Sequence, residues 1–264
     1  MKLQTIISTM NKSSYEFLEK MNLESDVLVI NQFNKFSYLC ECKNNYKYEY
    51  LTINQKGLSK SRNLGLLCCS GDILLLTDDD VTFFPGYKNV ILEAFEKYPQ
   101  ADIISFQVIG KETNRKKYMK KSSKNKYYCS VSLAYKKASL SKNNLWFHTM
   151  FGSGSIYLNG EESLLLRKAR KSGLKIYECN KIILSLRDSK SSWFNGFNEK
   201  YFYSKGAWLC EAYPYLKQLI KYYYAIRINK SSEIDFIQRI NWLKKGIKGY
   251  KTLTSYEEWR EHEK

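Results

Sequence analysis

Between Gly71 and Asp80 the chain reads Gly-Asp-Ile-Leu-Leu-Leu-Thr-Asp-Asp-Asp, so three consecutive carboxylates close a short, wholly apolar run. Four apolar residues between polar flanks are the pattern of a strand buried on both faces, the usual state of a parallel strand in an α/β sheet. Open sheets of that kind bind ligands at the carboxyl ends of their strands, which is where Asp78, Asp79 and Asp80 fall. Packing does not ask for three negative charges at one place. Adjacent carboxylates repel, and a site that keeps them ionised supplies a cation. Hard oxygen donors suit Mg²⁺ or Mn²⁺, which take one or two carboxylates and complete their shell with substrate phosphates. An acidic loop after a strand gives the same triplet, so the neighbouring segments decide between the two.

Upstream lies Gln55-Lys56-Gly57-Leu58-Ser59-Lys60-Ser61-Arg62-Asn63-Leu64-Gly65-Leu66, a Gly- and Ser-opened segment that turns into a helix and stops at Ser70-Gly71. Donors from Ser59, Lys60, Ser61 and Arg62 at a helix start make an anion site. That helix runs directly into the strand that carries the carboxylates.

A basic, hydroxyl-rich helix start feeding a strand that ends in Asp-Asp-Asp resembles the donor half of family 2 glycosyltransferases with the GT-A fold. Two further stretches extend the resemblance. Leu3–Asn11 and Asp26–Gln32 look like the first two strands of such a domain. The loops after them hold the nucleoside in the family, which makes Thr9, Asn31 and Gln32 candidates for that contact. Phe151–Leu164, with Gly160-Glu161-Glu162, resembles the segment whose second acidic residue is the general base of inverting members. That position is Glu162, a Glu where the family more often has Asp, with Glu161 as its neighbour and second candidate. Read locally, Glu162 has another role. With Asn159 as N-cap it falls at the third helical position, where a Glu completes a capping box, in a helix that stops at Gly173.

The resemblance implies an α/β GT-A domain, a Rossmann-like nucleotide-sugar-binding mixed sheet flanked by helices. It also implies an inverting enzyme that moves a sugar from a nucleotide-sugar, most often uridine-linked, to a hydroxyl of a lipid-linked or oligosaccharide acceptor in surface polysaccharide or capsule synthesis. Lys56, Ser59, Lys60, Arg62, Asp78 and Asp79 become donor-binding candidates. Asp80 and Asp78 become ligands of Mn²⁺ or Mg²⁺, with Asp78 nearer the ribose. The chain departs from the family where a His often completes the metal shell after the acidic helix. Ile182–Trp193 contains none, and only His148 and His262 exist in the chain. Asp188 as an oxygen ligand, Arg187 on the diphosphate, or a retained water are the alternatives. His148, beside Trp146 and Phe147, reads as a packed or rim residue.

A length of 264 residues and 44% hydrophobic content suit one modest enzyme domain and argue against disorder. No apolar stretch approaches the roughly 20 residues that span a bilayer, and Met1-Lys2-Leu3-Gln4 leads into a strand without a signal-peptide core. Seven cysteines without a CxxC spacing read as reduced cytosolic thiols. Ile103–Ile109 alternates as a strand does. Lys111–Lys126, with eight basic residues and the single acid Glu112, reads as an exposed loop.

From Lys217 to Lys251 nine Lys or Arg stand against two acids, interleaved with Tyr222, Tyr223, Tyr224, Trp242 and Leu243. The last of the three prolines, Pro214, sets the expected boundary between a catalytic domain over 1–214 and a basic helical tail over 215–264. A formal net charge of +17 draws the protein to polyanions. No motif for nucleic acid accompanies it, and basic, aromatic, amphipathic helices fit an anionic membrane surface. The expected location is therefore cytoplasmic, peripheral on the inner face of the membrane. The competing readings are a metal-dependent nucleotidyltransferase, whose glycine-rich phosphate loop Ser8–Asn11 lacks, and a non-catalytic basic protein that binds polyanions.

Overall fold

The computed structural model describes residues 1–109, 115–123, 126–187, 196–228 and 233–262. Its strands are β1 (Leu3–Met10), β2 (Asp26–Gln32), β3 (Ser37–Lys43), β4 (Tyr46–Ile53), β5 (Ile73–Asp78), β6 (Val81–Phe83), β7 (Ile103–Ile109), β8 (Met119–Lys121), β9 (Leu133–Lys136) and β10 (Ile176–Leu186). The helices are α1 (Leu58–Cys68), α2 (Tyr87–Lys97), α3 (Lys137–Lys142), α4 (Glu161–Lys171), α5 (Glu199–Ala212), α6 (Lys217–Arg227), α7 (Phe236–Thr252) and α8 (Tyr256–His262). Two compact units divide the chain. The first comprises 1–56, 60–147 and 165–189, and the second 57–59, 148–164 and 190–264.

The first unit holds a mixed sheet in the order β3-β4-β2-β1-β5-β9-β7-β10-β6, with β8 on β10. β4, β2, β1 and β5 run parallel, and β9 enters antiparallel between β5 and β7. Alternation along the strands sends side chains to two cores. Leu3, Ile7, Val27, Val29, Ile73 and Leu75 pack with Tyr87, Ile91 and Phe95 of α2. Ile6, Leu28, Ile30, Leu74 and Leu76 pack with Leu66 of α1 and Leu165, Leu166 and Ala169 of α4. Burial on both faces is what the apolar run of β5 predicted, and each such side chain contributes about 1.5–3 kcal/mol.

α1 lies close on β1 because position 65 has no side chain. A Cβ on Gly65 would stand 2.5 Å from Ile6 Cγ2. At the far edge of the sheet, Asn44 and Asn45 both take positive φ, at 52° and 64°, and turn β3 back into β4, as a two-residue hairpin connection requires.

The segment read as an exposed loop is more ordered than its charge suggested. β8 pairs with β10, and Arg115 donates to Ser105 Oγ at 2.9 Å and to Cys179 O at 2.8 Å. These backbone and hydroxyl acceptors hold a charged residue half-buried, which composition could not foresee. The remainder of that segment, 110–114 and 124–125, lies outside the described residues.

The second unit is mainly helical. Phe202, Tyr203, Ala207, Trp208 and Leu209 of α5 share a core with Tyr224 and Ala225 of α6, Trp242 and Leu243 of α7, and Phe151 and Tyr157. The boundary expected at Pro214 falls inside this unit, between α5 and α6. A Cβ at Gly206 would meet Leu243 O at 2.2 Å, and one at Gly246 would meet Tyr203 O at 1.9 Å, so paired glycines let α5 and α7 touch backbone to backbone. Among the described residues no helix is long and apolar enough to cross a membrane.

Candidate active site

Strand register in the first unit assembles the carboxylate cluster. Ser8 of β1 stands opposite Asp78 of β5, and Thr9 opposite Asn31 of β2, so the carboxyl ends of three parallel strands deliver these side chains to one edge. The order reverses across β1, with β2 on one side and β5 on the other. That is the switch point at which open α/β sheets take ligands.

Each carboxylate has its own surroundings. Asp79 Oδ2 accepts from Thr9 Oγ1 at 2.6 Å and from Lys12 Nζ at 2.9 Å. Lys12 is itself fixed, since its backbone N–H donates to Asn31 Oδ1 at 3.2 Å and its carbonyl accepts from Asn31 Nδ2 at 2.8 Å. Asp78 Oδ1 accepts from Arg62 Nη2 at 3.3 Å. That guanidinium is almost fully buried and lies 5.5 Å from the centre of the Phe147 ring. Phe147 is held by a two-way bracket with the Asn63 amide, at 2.8 and 2.9 Å.

Asp80 is the third member. Its pKa is raised, first by burial and then by the negative charges of Asp78 and Asp79, while Arg187 pulls it down. Arg187 donates its backbone N–H to Asp80 O at 2.8 Å and its guanidinium to the Asp79 carbonyl. The structure thus brings Thr9, Asn31, Asp78, Asp79, Asp80 and Arg62 together at one edge. Gln32, at the end of β2, is buried. Lys56 and Lys60 are exposed.

Lys12 escaped the sequence reading because it meets Asp79 only through folding. Its place just past the end of a parallel strand was the available signal.

Among the described residues no three His, Cys, Asp or Glu side chains are placed to hold a metal ion together. Asp79 already has Thr9 and Lys12, and Asp78 has Arg62. Asp80 fits a cation better than either, because burial and two like charges disfavour its ionised form and a positive charge would relieve both. A single carboxylate with substrate phosphates is an ordinary Mg²⁺ arrangement. Asp188, the candidate ligand in place of the absent His, lies outside the described residues.

In the second unit, Leu58 N donates to Ser153 O at 2.9 Å and Ser59 Oγ to Phe151 O at 2.6 Å. Ser59, expected as an anion donor, is therefore buried against a backbone carbonyl. α4 begins at Glu161, so Glu162 is the second helical residue and Ser163 the third. The third helical position, which the capping box read around Asn159 gave to Glu162, belongs to Ser163, whose hydroxyl donates to Gly160 O at 2.8 Å. Trp208 Nε1 donates to that same hydroxyl at 2.9 Å. Gly160, at φ 110°, leaves room for the indole, which a Cβ would approach to 2.4 Å. Glu161 and Glu162 are half-buried in the first turn, where the helix dipole favours carboxylates, and the Glu161 carboxyl lies against Gly152. His148 is a packed residue, edge-on to Phe151 with ring centres 5.0 Å apart and 3.7 Å from Glu211.

Residues 32–160 match the family model of glycosyl transferase family 2. That stretch is similar to glycosyltransferase family 2, and the mixed sheet with flanking helices is the GT-A fold. Among solved structures, residues 1–349 of S. aureus TarS in complex with UDP-GlcNAc are 15% identical, with a TM-score of 0.56 over 96% of this chain and 74% of that one. The same part of TarS in complex with UDP gives 0.53 at 15% identity, over 96% of this chain and 72% of that one. A longer TarS chain gives 0.52 at 15% identity, over 96% of this chain and 44% of that one. No curated protein sequence matches the chain.

Proposed function

We propose that the protein is an inverting glycosyltransferase that moves a sugar from a UDP-sugar to a hydroxyl of a lipid-linked or oligosaccharide acceptor in surface polysaccharide synthesis. The observation that carries this reading is the cluster of Thr9, Asn31, Asp78, Asp79 and Asp80 at the switch point of a family 2 sheet. Fold likeness to TarS, whose crystals hold UDP-GlcNAc or UDP, supports a uridine nucleotide.

Thr9, Asn31 and Gln32 line the nucleoside end, and Asp78, steadied by Arg62, faces the ribose. Asp79, held by Thr9 and Lys12, shapes the edge between them. Mn²⁺ or Mg²⁺, held by Asp80 with Asp78, would when bound neutralise charge that grows on the departing diphosphate. Lys56, Lys60 and Arg187 add positive charge for the same leaving group. Glu162 accepts the proton of the acceptor hydroxyl as its oxygen bonds to the anomeric carbon and the bond to the diphosphate breaks, so the configuration inverts in one displacement. The acceptor is reached at the inner face of the membrane.

The test is release of UDP from a panel of UDP-sugars, with Mn²⁺ and with excess chelator. Release from at least one donor, lost in chelator, is expected. Undiminished release in chelator removes the metal from the reaction, and no release from any nucleotide-sugar with a membrane extract as acceptor source overturns the assignment.

A further inference from the structure

Helix α6 is built inside out. Leu216, Leu219, Tyr222, Tyr223 and Ile226 recur at steps of three and four residues and so share one face of the helix. That face points to solvent, with Leu219 70% and Ile226 63% exposed. The opposite face carries Tyr224 and Ala225 into the core of the second unit and takes Lys221 with them. The Lys221 ammonium is 2.6 Å from Gln218 Oε1, and burial, followed by Lys244, lowers its pKa. A helix that buries lysine and exposes leucine and isoleucine keeps its apolar side for something outside the described residues.

Charge selects the occupant. Nine Lys or Arg stand against two acids from Lys217 to Lys251, and Arg227 and Lys244 are both exposed. A second copy would bring the same +17 against itself. An anionic surface is complementary to the basic residues and an apolar interior to the stripe, and tyrosines are at home at the boundary between the two. We propose that the outward face of α6 seats on an anionic lipid surface, with Leu216, Leu219 and Ile226 in the acyl boundary and Tyr222 and Tyr223 at headgroup level. This names the contact residues of the membrane partner in the proposed function and rests on that reading for its purpose. Trp242 and Tyr224, which sequence alone placed among the membrane-facing aromatics, are buried and take no part.

The test is co-sedimentation of the full chain with phosphatidylcholine vesicles with and without phosphatidylglycerol, for the natural sequence and for Leu219→Gln/Ile226→Gln. Both replaced residues are exposed, and release of UDP in solution is measured in parallel on the same samples. Binding should require phosphatidylglycerol, weaken as salt shortens a Debye length of about 8 Å, and fall at least about tenfold in the double variant, while UDP release is unchanged. Equal binding by the two proteins overturns the proposal. So does sedimentation velocity that shows the natural chain dimeric and the variant monomeric, because a second copy would then be the occupant. Vesicle binding without UDP release would leave the docking face standing and remove the glycosyltransferase reading instead.

Discussion

Replacing Arg62 with Met keeps most of the side-chain volume beside Phe147 and removes the charge that faces Asp78. The hydrogen bond to an ionised partner would be worth about 1.5–3 kcal/mol if both groups were buried. Asp78 is 34% exposed, so water can take over part of its solvation, and the surviving contribution is closer to about 1 kcal/mol. Loss of the cation–π contact at 5.5 Å adds roughly 0.5–1 kcal/mol. Relief from holding a guanidinium away from water works in the opposite direction. The expected net loss is about 1–2 kcal/mol, or a melting temperature lower by about 2–8 °C at this chain length. Asp78 then loses the group that fixes its rotamer, and affinity for UDP should fall about tenfold, the equivalent of about 1.4 kcal/mol. Arg62→Lys should fall between, because an ammonium keeps the charge without the planar fork. The assays are thermal unfolding and calorimetric titration with UDP. Unchanged affinity in a folded Met variant would refute the positioning role, and a loss of more than about 15 °C would make Arg62 foremost a core residue.

Glu162→Gln should fold and bind UDP normally and lose about 10²–10⁴ in transfer rate. Near-normal transfer would move the base to Glu161, to be tested the same way. Lys205, buried among Tyr201, Trp208 and Tyr224, has its pKa pushed down to about 8, by burial and then by Arg227. Because that value lies below the roughly 10.4 of an unfolded lysine, the unfolded chain binds more protons between the two, and stability should rise with pH from about 8 towards about 10. Lys205→Met should flatten that rise and stabilise the protein at neutral pH by on the order of 2 kcal/mol. Urea unfolding across the window checks both, and a variant with the natural pH profile would contradict the reading.

The sheet was legible because β5 is an apolar run too short for a helix, β7 alternates as a strand does, and α1 and α4 carry clear stops at Ser70-Gly71 and Gly173. The hairpin of β3 and β4 was not, since β3 is exposed along its whole length and shows no alternation to read, although Asn44-Asn45 marked the turn. β9, only Leu133–Lys136, inserts antiparallel between two strands, an order that no local pattern encodes. At the site, the carboxylates were legible from a strand end, and Thr9 became a candidate only through the resemblance to family 2. The partnership of Lys12 with Asp79 and the seating of Arg62 on Phe147 were not, because sheet register and the Asn63 bracket create them. The tail was readable as basic and helical. Which face of α6 turns inward is set by its packing in the core of the second unit, which takes Tyr224 and Ala225, and composition holds no trace of that.

The proposed function requires a nucleoside diphosphate at the carboxyl ends of β1, β2 and β5. Calorimetric titration of the natural chain and of Asp80→Asn with UDP, in Mn²⁺ and in chelator, tests it most directly. Saturable binding by the natural chain in Mn²⁺, weakened at least about tenfold by the substitution with no loss of melting temperature, is the expected result. UDP binding that Asp80→Asn leaves intact, or no binding of UDP by the natural chain in Mn²⁺, would contradict the account.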